Sequence, residues 1–143
     1  MIPNPIMAID YGKKHIGIAV SDKLGIVSTP ITVIHITPKI TWENIMDQLR
    51  EIINSYNIQS ILYGIPQRFE SNNNENIDRI KRFIDTINSN LDLPYLVYDE
   101  SYSTKDAENV IVSNGSTLKR RKKKIDSIAA SIFLQEYLDN IKK

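Results

Sequence analysis

The chain has 143 residues, of which 41% are hydrophobic and 24% charged, and its formal net charge is +1. These values are typical of a soluble globular domain with one core. The chain contains no cysteine, which excludes disulfides, thiolate metal sites and cysteine nucleophiles. No apolar run approaches the ~20 residues of a membrane helix, and the first residues lack the pattern of a signal peptide. We therefore predict a single domain over residues 1–143, located in the cytoplasm and not at a membrane.

The first predicted elements are three strands joined by short turns. Residues 6–10 form an apolar run, and residues 15–21 alternate between apolar and polar or small side chains, with the turn-forming segment YGKK between them. Residues 26–36 are rich in β-branched side chains, and Pro30 favours a position at a sheet edge or a bulge. Strands that follow one another this closely pair antiparallel.

Helical and extended patterns alternate in the rest of the chain. The predicted helices cover residues 42–56, with Thr41 as N-cap, and residues 77–87, 103–113 and 125–138. The predicted strands between them cover residues 60–66 and 95–100. Strands separated by helices pair parallel. The pattern predicts an α/β fold in which a mixed five-stranded sheet, three strands antiparallel and then two parallel, carries helices on both faces.

Three carboxylates stand at the ends of predicted elements. Asp10 ends the first strand, Glu100 ends the last strand next to Asp99, and Asp126 lies in the first turn of the last helix. Singly, each has an ordinary structural explanation, as a turn residue, an Asx cap or an acid favoured by the helix dipole. If they meet at one edge of the sheet they repel one another, and a cation must neutralise them. Mg²⁺ prefers oxygen ligands of this kind, and two such ions about 3.5–4 Å apart promote phosphodiester cleavage.

A basic run ends two residues before Asp126, while the rest of the chain is mildly acidic. The run consists of Lys119, Arg120, Arg121, Lys122, Lys123 and Lys124. We interpret it as a loop that attracts phosphates through release of counterions, and the alternative is a merely solvated loop. Lys13 and Lys14 in the first turn have the same two readings, a phosphate contact or an exposed hairpin tip. His15 starts the second strand and is interpreted as structural.

Four blocks of the sequence, AIDYGKKHIGIAVSD, YGIP, YDESYSTKDAE and KKKIDSIAASIFLQEYLD, resemble the YqgF family in order and spacing, from Met7 to about Leu138. The resemblance implies an RNase H-like fold and a metal-dependent nuclease that matures precursor 16S ribosomal RNA or resolves Holliday junctions in DNA. It implies that Asp10, Glu100 and Asp126 together bind Mg²⁺ or Mn²⁺, with two ions, and that Asp99 can share or replace the role of Glu100.

The resemblance also implies partners: precursor ribosomal RNA or branched DNA, and the small-subunit ribosomal particle that carries the RNA. The chain is expected to act as a monomer or a homodimer. Lys13, Lys14 and the six residues of the basic run are the expected contacts to the nucleic acid.

The sequence departs from the family at Ser101, where the family usually has an arginine, and after Pro66, where a glycine-containing loop is replaced by an asparagine-rich one. The missing arginine removes a contact to phosphate or to the neighbouring glutamate, for which Lys105 or Lys13 can compensate. Two alternatives stay open. One is a nucleic-acid-binding module without turnover, which Ser101 favours. The other is an ATPase of the sugar-kinase or actin type, whose phosphate-binding hairpin resembles IDYGKKHIGIAV, although such enzymes need two copies of the domain.

Overall fold

The structure, a computed structural model, describes the backbone of residues 2–65, 74–99 and 118–141. Side chains are described within residues 2–65, 78–98 and 128–141. Several predicted features lie outside these residues: the helix over 103–113, the loop after Pro66, Ser101 and Glu100. The side chains of Asp99, Asp126 and positions 119–124 are also outside the described set.

Within the described residues, five strands form one sheet in the order β3-β2-β1-β4-β5. The strands are β1 Ile6–Tyr11, β2 His15–Ser21, β3 Ser28–His35, β4 Ser60–Ile65 and β5 Tyr95–Asp99. β2 pairs antiparallel with both β1 and β3, whereas β4 pairs parallel with both β1 and β5. The predicted mixed sheet is confirmed.

The first hairpin is tighter than predicted, because β1 continues through Tyr11. Tyr11 pairs with Ile16 of β2, and its ring stacks on Phe83 with centroids 3.9 Å apart. The turn is closed by a hydrogen bond from the Gly12 N–H to the His15 carbonyl oxygen, 2.8 Å long. A Cβ at Gly12 would lie 3.2 Å from that same oxygen, so the close turn favours glycine.

β3 is shorter than the predicted strand over residues 26–36. The backbone N–H groups of Ile26 and Val27 donate to Asp22 Oδ1 at 2.6 and 2.9 Å, which holds these residues in a turn instead of a ladder. Pro30 lies in β3, at the edge of the sheet, and the β2–β3 register shifts beside it. The prediction that Pro30 lies at a sheet edge or a bulge is confirmed.

Three helices are described: α1 Trp42–Tyr56, α2 Asn74–Leu91 and α3 Leu118–Asn140. The predicted N-cap is confirmed, since Thr41 Oγ1 accepts from the Asn44 N–H at 3.1 Å. α1 ends at Asn57, whose left-handed backbone has φ 53°. A search of the described residues finds no helix with the length and apolarity that crossing a bilayer requires.

The helices lie on both faces of the sheet, as predicted, and each face has its own core. Residues 7, 9 and 11 of β1 point to α1 and α2, and residues 6 and 8 point to α3, because strand side chains alternate. The first core cluster joins Met7 and Ile9 to Leu49 of α1 and Phe83 of α2. The second core cluster is built around the residues Ile6, Ala8, Ala19, Leu62, Ala130, Phe133, Leu134 and Leu138.

α3 begins earlier than predicted. The sequence placed its start at residue 125 and Asp126 in its first turn, but the helix begins at Leu118 and its first turn contains no acid. Both of those predictions are wrong, and the basic positions 119–124 are helical instead of forming a loop. The physical reason is that lysine and arginine are good helix formers, and residues 118–125 contain no glycine or proline to stop the helix.

Candidate active site

Asp10 lies near the carboxyl end of β1, the central strand of the sheet. It is half-buried, and it pairs with Gly17 of β2 on one side and with Gly64 of β4 on the other. β1, β4 and β5 run parallel, and all three end at this edge. Asp10 is thus placed where the carboxyl ends of three strands meet.

The side chain of Asp10 lies on the face of the sheet that α3 covers. Ile6 and Ala8, four and two residues before it, belong to the second core cluster, and alternate strand residues share a face. Asp10 therefore does not face the first core cluster, where α1 and α2 pack. Asp10 therefore lies just beyond the second core cluster, of which Ala8 is a member, at the end of β1.

Glycine stands on both sides of Asp10 in the same row of the sheet. Gly17 and Gly64 have no side chain to flank the carboxylate, and both are buried. Glycine inside a strand weakens the strand and marks places where a ligand or another backbone approaches closely. Two glycines around one carboxylate therefore mark a place where a ligand or another part of the chain can approach the backbone closely.

Tyr98 continues this row onto β5, where it pairs with Gly64. Its ring stacks on Phe133 of α3, with centroids 6.0 Å apart, and its hydroxyl donates to Glu136 Oε2 at 3.3 Å. These contacts place Tyr98 on the α3 face, the same face as Asp10. The row Gly17, Asp10, Gly64 and Tyr98 thus faces α3.

The two predicted lysines lie in the turn that follows Asp10. Lys13 and Lys14 are exposed, and neither forms an ion pair or side-chain hydrogen bond within the part of the chain that the structure describes. The turn is fixed by the Gly12–His15 hydrogen bond and by the Ile36 N–H, which donates to the Lys14 carbonyl oxygen at 2.8 Å. Two cations are therefore held close in sequence to Asp10 on a well-supported turn.

His15, interpreted as structural from the sequence, shares the α3 face with Asp10. It precedes Gly17 by two residues on β2, so it is a diagonal cross-strand neighbour of Asp10, at a distance that side chains can span. Its ring meets that of His35 edge-to-face, with centroids 5.1 Å apart. The sequence could have indicated that His15 is near Asp10 only through its two-residue spacing from Gly17. That spacing became informative once the β1–β2 register was known.

The other predicted site residues are placed by the backbone alone or lie outside the described set. Asp99 ends β5, and its Cα pairs with Ile65. Position 126 lies within α3, four residues before Ala130. Among the described residues no three histidine or acidic side chains form a group that could hold a metal ion, and Asp10 is the one predicted ligand whose side chain belongs to that set.

One tyrosine and one aspartate, Tyr63 and Asp22, have pKa values that the structure shifts. Burial raises the pKa of the Tyr63 hydroxyl above its ordinary value, and that hydroxyl donates to Asn88 Oδ1 at 3.0 Å inside the first core cluster. The Val27 and Ile26 N–H groups lower the pKa of Asp22. Tyr63 lies on the face opposite Asp10, and Asp22 lies in the turn between β2 and β3. We therefore assign both groups to the stability of the fold.

A family model described as "RuvX: Holliday junction resolvase" matches residues 4–140. The chain belongs to the RuvX family. This confirms the predicted resemblance to the YqgF family and the predicted enzyme class, a hydrolase with a nuclease role. Membership in a nuclease family gives no support to the sugar-kinase or actin-type alternative.

Curated relatives of this RuvX-family chain cover nearly its whole length. A protein of Halothermothrix orenii is 36% identical over 135 residues, which is 94% of each chain. A protein of Desulforamulus reducens is 36% identical over 135 residues, covering 94% of this chain and 96% of its own. Both carry the name "Putative pre-16S rRNA nuclease".

Solved structures confirm the fold of this RuvX-family chain. RuvC of Thermus thermophilus, solved with a Holliday junction, has a TM-score of 0.61 at 15% identity and covers 96% of this chain and 94% of its own. The fowlpox virus resolvase, solved with junction DNA, has a TM-score of 0.58 at 18% identity and covers 100% of both chains. At such identities the likeness concerns the fold alone, and it agrees with the predicted RNase H-like class.

Proposed function

We propose that the chain is a divalent-metal-dependent endonuclease that matures precursor 16S ribosomal RNA in the cytoplasm. The observation that carries the proposal is the position of Asp10, on the central strand at the edge where β1, β4 and β5 end, between Gly17 and Gly64. The names of the relatives support RNA as the substrate. The small-subunit ribosomal particle is the proposed carrier of that RNA.

Asp10, Glu100 and Asp126 are the proposed metal ligands. Their donors are carboxylate oxygens, which fit Mg²⁺ or Mn²⁺. When bound, two such ions supply an activated water and stabilisation of the leaving oxygen. The residues of the chain hold that arrangement on rigid elements, since Asp10 is on the central strand and Asp126 is within a 23-residue helix.

Strand alternation favours Glu100 over Asp99 as the second ligand. Tyr98 is on the α3 face together with Asp10, as its contact with Phe133 shows. Residues of one strand that share a face differ by two positions. Position 99 has the parity of Tyr95, whose ring meets Tyr63 of the first core cluster, so the backbone of β5 disfavours Asp99 and Glu100 is the proposed ligand.

The third ligand is supported by the spacing of residues on α3. Positions 126 and 130 share one side of a helix, and Ala130 and Ala8 are both buried in the second core cluster. Asp10 follows Ala8 by two residues on that same face, about 6.6 Å further along β1. Asp126 precedes Ala130 by about 6 Å along α3. The Ile2 N–H donates to the Tyr137 hydroxyl, so the carboxyl end of α3 lies at the start of β1 and its amino end is directed toward the edge where β1 ends. This direction supports Asp126 as a ligand beside Asp10.

The helical basic run is the proposed binding segment for the phosphate backbone. Six consecutive helical positions cover every side of a helix, at about 100° per residue. Lys119 to Lys124 therefore present cations around the first turns of α3, whichever side faces solvent. Such a segment binds RNA or DNA backbone without reading sequence, and it lies next to Asp126 in the chain.

A second candidate is cleavage of branched DNA, because the family model is described as a Holliday junction resolvase. The deciding experiment compares cleavage of a labelled precursor 16S ribosomal RNA fragment, alone and in small-subunit particles, with cleavage of a four-way DNA junction. Wild type is assayed with Mg²⁺, with Mn²⁺ and with EDTA, beside Asp10→Asn. We expect metal-dependent cutting of the RNA that is lost in Asp10→Asn.

The same assay separates the alternatives. Preferred cutting of the junction would replace the ribosomal assignment with the resolvase one. Tight binding of RNA without any cutting, free or in particles, would contradict the nuclease proposal and support the binding module that Ser101 suggests. Circular dichroism of Asp10→Asn controls for folding.

A further inference from the structure

A small cavity of about 140 Å³ lies at the sheet edge where β1 ends. It is lined by Tyr11, Ile36, Thr37, Ile40, Trp42 and Ile45. Tyr11 is the last residue of β1, the residues from 36 to 40 follow β3, and Trp42 begins α1. Pockets for drug-sized ligands start at roughly 300 Å³. The size of this cavity suits a single planar ring rather than a whole nucleoside.

Trp42 gives the cavity an aromatic wall that is open to solvent. Its residue surface is 48% exposed, although its ring contacts Phe83, with centroids 5.7 Å apart and planes tilted by 37°. A large aromatic side chain left half in water forgoes part of its burial energy. Exposed aromatic faces are the surfaces on which proteins stack unpaired nucleobases.

Tyr11 also lines the cavity, and its ring is held by two contacts. One face of its ring stacks on Phe83 at 3.9 Å and 9°, and the guanidinium carbon of Arg79 lies 5.0 Å from its ring centroid. Tyr11 directly follows Asp10, and consecutive strand residues point to opposite faces about 3.3 Å apart along the strand. A nucleic acid strand that crosses the sheet edge can thus place a phosphate at Asp10 and a neighbouring base in the cavity.

Three lysines lie in the turn and the loop that adjoin the lining residues of the cavity. The Ile36 N–H donates to the Lys14 carbonyl oxygen, which joins the wall of the cavity to the turn that holds Lys13 and Lys14. Lys39 lies in the loop between Thr37 and Ile40, whose backbones are joined by a 3.1 Å hydrogen bond. All three lysines are exposed and outside any ion pair of the described part of the chain. One exposed acid, Glu43, directly neighbours a lining residue in the sequence, so the three lysines give this region a net positive charge.

We propose that this cavity binds one unpaired nucleobase of the substrate, stacked on Trp42, while Lys13, Lys14 and Lys39 bind the adjacent phosphates. The inference rests on the proposed nuclease function and names its substrate class, a strand that is single-stranded next to the cut. A base inside a duplex is stacked and paired, so it does not enter the cavity unless it is first extruded.

The first test uses Trp42 as its own reporter, because the chain contains one tryptophan. Wild type in EDTA is titrated with a single-stranded RNA hexamer, an abasic hexamer of the same charge and a blunt RNA duplex. We expect the hexamer to quench the fluorescence and the other two to leave it nearly unchanged. Equal quenching by all three, or none by the hexamer, overturns the proposal.

The second test compares variants by fluorescence anisotropy of a labelled hexamer. Trp42→Leu removes the stacking surface, and Thr37→Phe fills the cavity while keeping the tryptophan. Tyr56→Leu is the matched control, since Tyr56 is 43% exposed at the other end of α1. We expect about tenfold weaker binding for the first two variants and no change for the control, with thermal unfolding confirming that each variant folds. Wild-type affinity in both cavity variants overturns the proposal.

Other results separate this inference from the nuclease proposal. If wild type cuts RNA and Trp42→Leu binds and cuts as well as wild type, the nucleobase site is wrong and the nuclease remains. If the hexamer quenches Trp42 but no substrate is cut, the site remains and the nuclease is wrong. A fluorescence change that follows protein concentration without RNA would assign the cavity to a second copy of the chain and overturn the proposal.

Discussion

Asp10 and Gly64 are register partners on the parallel strands β1 and β4, and both belong to the face of the sheet that α3 covers. Gly17 holds the equivalent position on the antiparallel side. The carboxylate is thus flanked along its row by two residues that have no side chain. Asp10 therefore has no side chain next to it on β2 or β4. Two residues earlier on the same face, Ala8 and Leu62 are register partners whose side chains are packed in the second core cluster.

We predict that Gly64→Ala and, more strongly, Gly64→Val lower the rate of cleavage. The added methyl groups would stand beside the Asp10 carboxylate, and a displacement of about 1 Å at a reacting centre can cost on the order of 100-fold in rate. We expect about tenfold or more for valine, measured as single-turnover cleavage of the precursor RNA. Thr32→Val, on an exposed position of the edge strand β3, is the control. A fully active, folded Gly64→Val would contradict the view that this row holds an ion or a phosphate.

We predict that Glu100→Gln abolishes cleavage and that Asp99→Asn does not. Loss of a metal ligand removes more than the roughly 10–100-fold that loss of a supporting partner costs, so we expect a decrease beyond about 100-fold for Glu100→Gln. Asp99→Asn should stay within about tenfold, because position 99 has the parity of the opposite face. Both rates are measured over a Mn²⁺ titration. The reverse ranking would assign the ligand to Asp99.

The sequence predicted the features that depend on neighbouring residues, and it did not predict those that depend on residues far apart in the chain. The strand over residues 15–21 and the helix over residues 42–56 were predicted with their bounds, because alternation, helical spacing and the Thr41 cap are local signals. The placement of Gly64 beside Asp10 depends on pairing between strands that a whole helix separates. No local pattern carries that register, so the glycine row became visible only in the structure.

The error at α3 has a different cause. The apolar spacing that marks a helix begins at Ile125, so the preceding basic residues looked like a loop. Their intrinsic helix propensity carries the helix back to Leu118 without any apolar pattern. The extension also changes the role expected of the helix, since Asp126 no longer benefits from the amino-terminal dipole, whose effect fades within the first turn.

We predict that replacing all six residues from Lys119 to Lys124 with glutamine weakens nucleic-acid binding and flattens its salt dependence. Glutamine has nearly the helix propensity of lysine and arginine, so α3 should persist while its charge is removed. Each lost phosphate contact lowers the slope of log K against log salt by about 0.7 for a single strand and 0.9 for a duplex. The slope is measured by filter binding of the RNA between about 50 and 200 mM salt.

The control for the basic run removes two exposed cations elsewhere, with Lys23→Gln and Arg50→Gln. It should leave the slope near that of wild type. If the six-residue variant and the control behave alike, the run is only a solvated segment of the helix and the phosphate contacts lie elsewhere.

The last prediction concerns the turn between β2 and β3, which Asp22 organises. Its carboxylate accepts from the N–H groups of Val27 and Ile26, and Gly25 adopts φ +70° within the same turn. We expect Asp22→Ala to lower the free energy of unfolding at neutral pH by about 0.5–1.5 kcal/mol. Asp22→Asn should lose less, because its side-chain oxygen still accepts. Asp47→Ala is the control, since within the described residues its side chain forms one exposed pair, with Arg50 at 3.5 Å, and it should change stability by less than about 0.5 kcal/mol.

The pH dependence of this turn has a definite sign. The Val27 and Ile26 hydrogen bonds hold the pKa of Asp22 below its ordinary value of 3.8. A carboxyl group whose pKa is lower in the folded state stabilises the protein above the unfolded-state pKa, and this contribution is lost as the pH falls through the folded-state value. Wild type should therefore lose stability relative to Asp22→Asn as the pH falls below about 3.8, and urea unfolding of both proteins across that range measures the difference. Parallel stability curves would show that the charge of Asp22 contributes nothing to the turn.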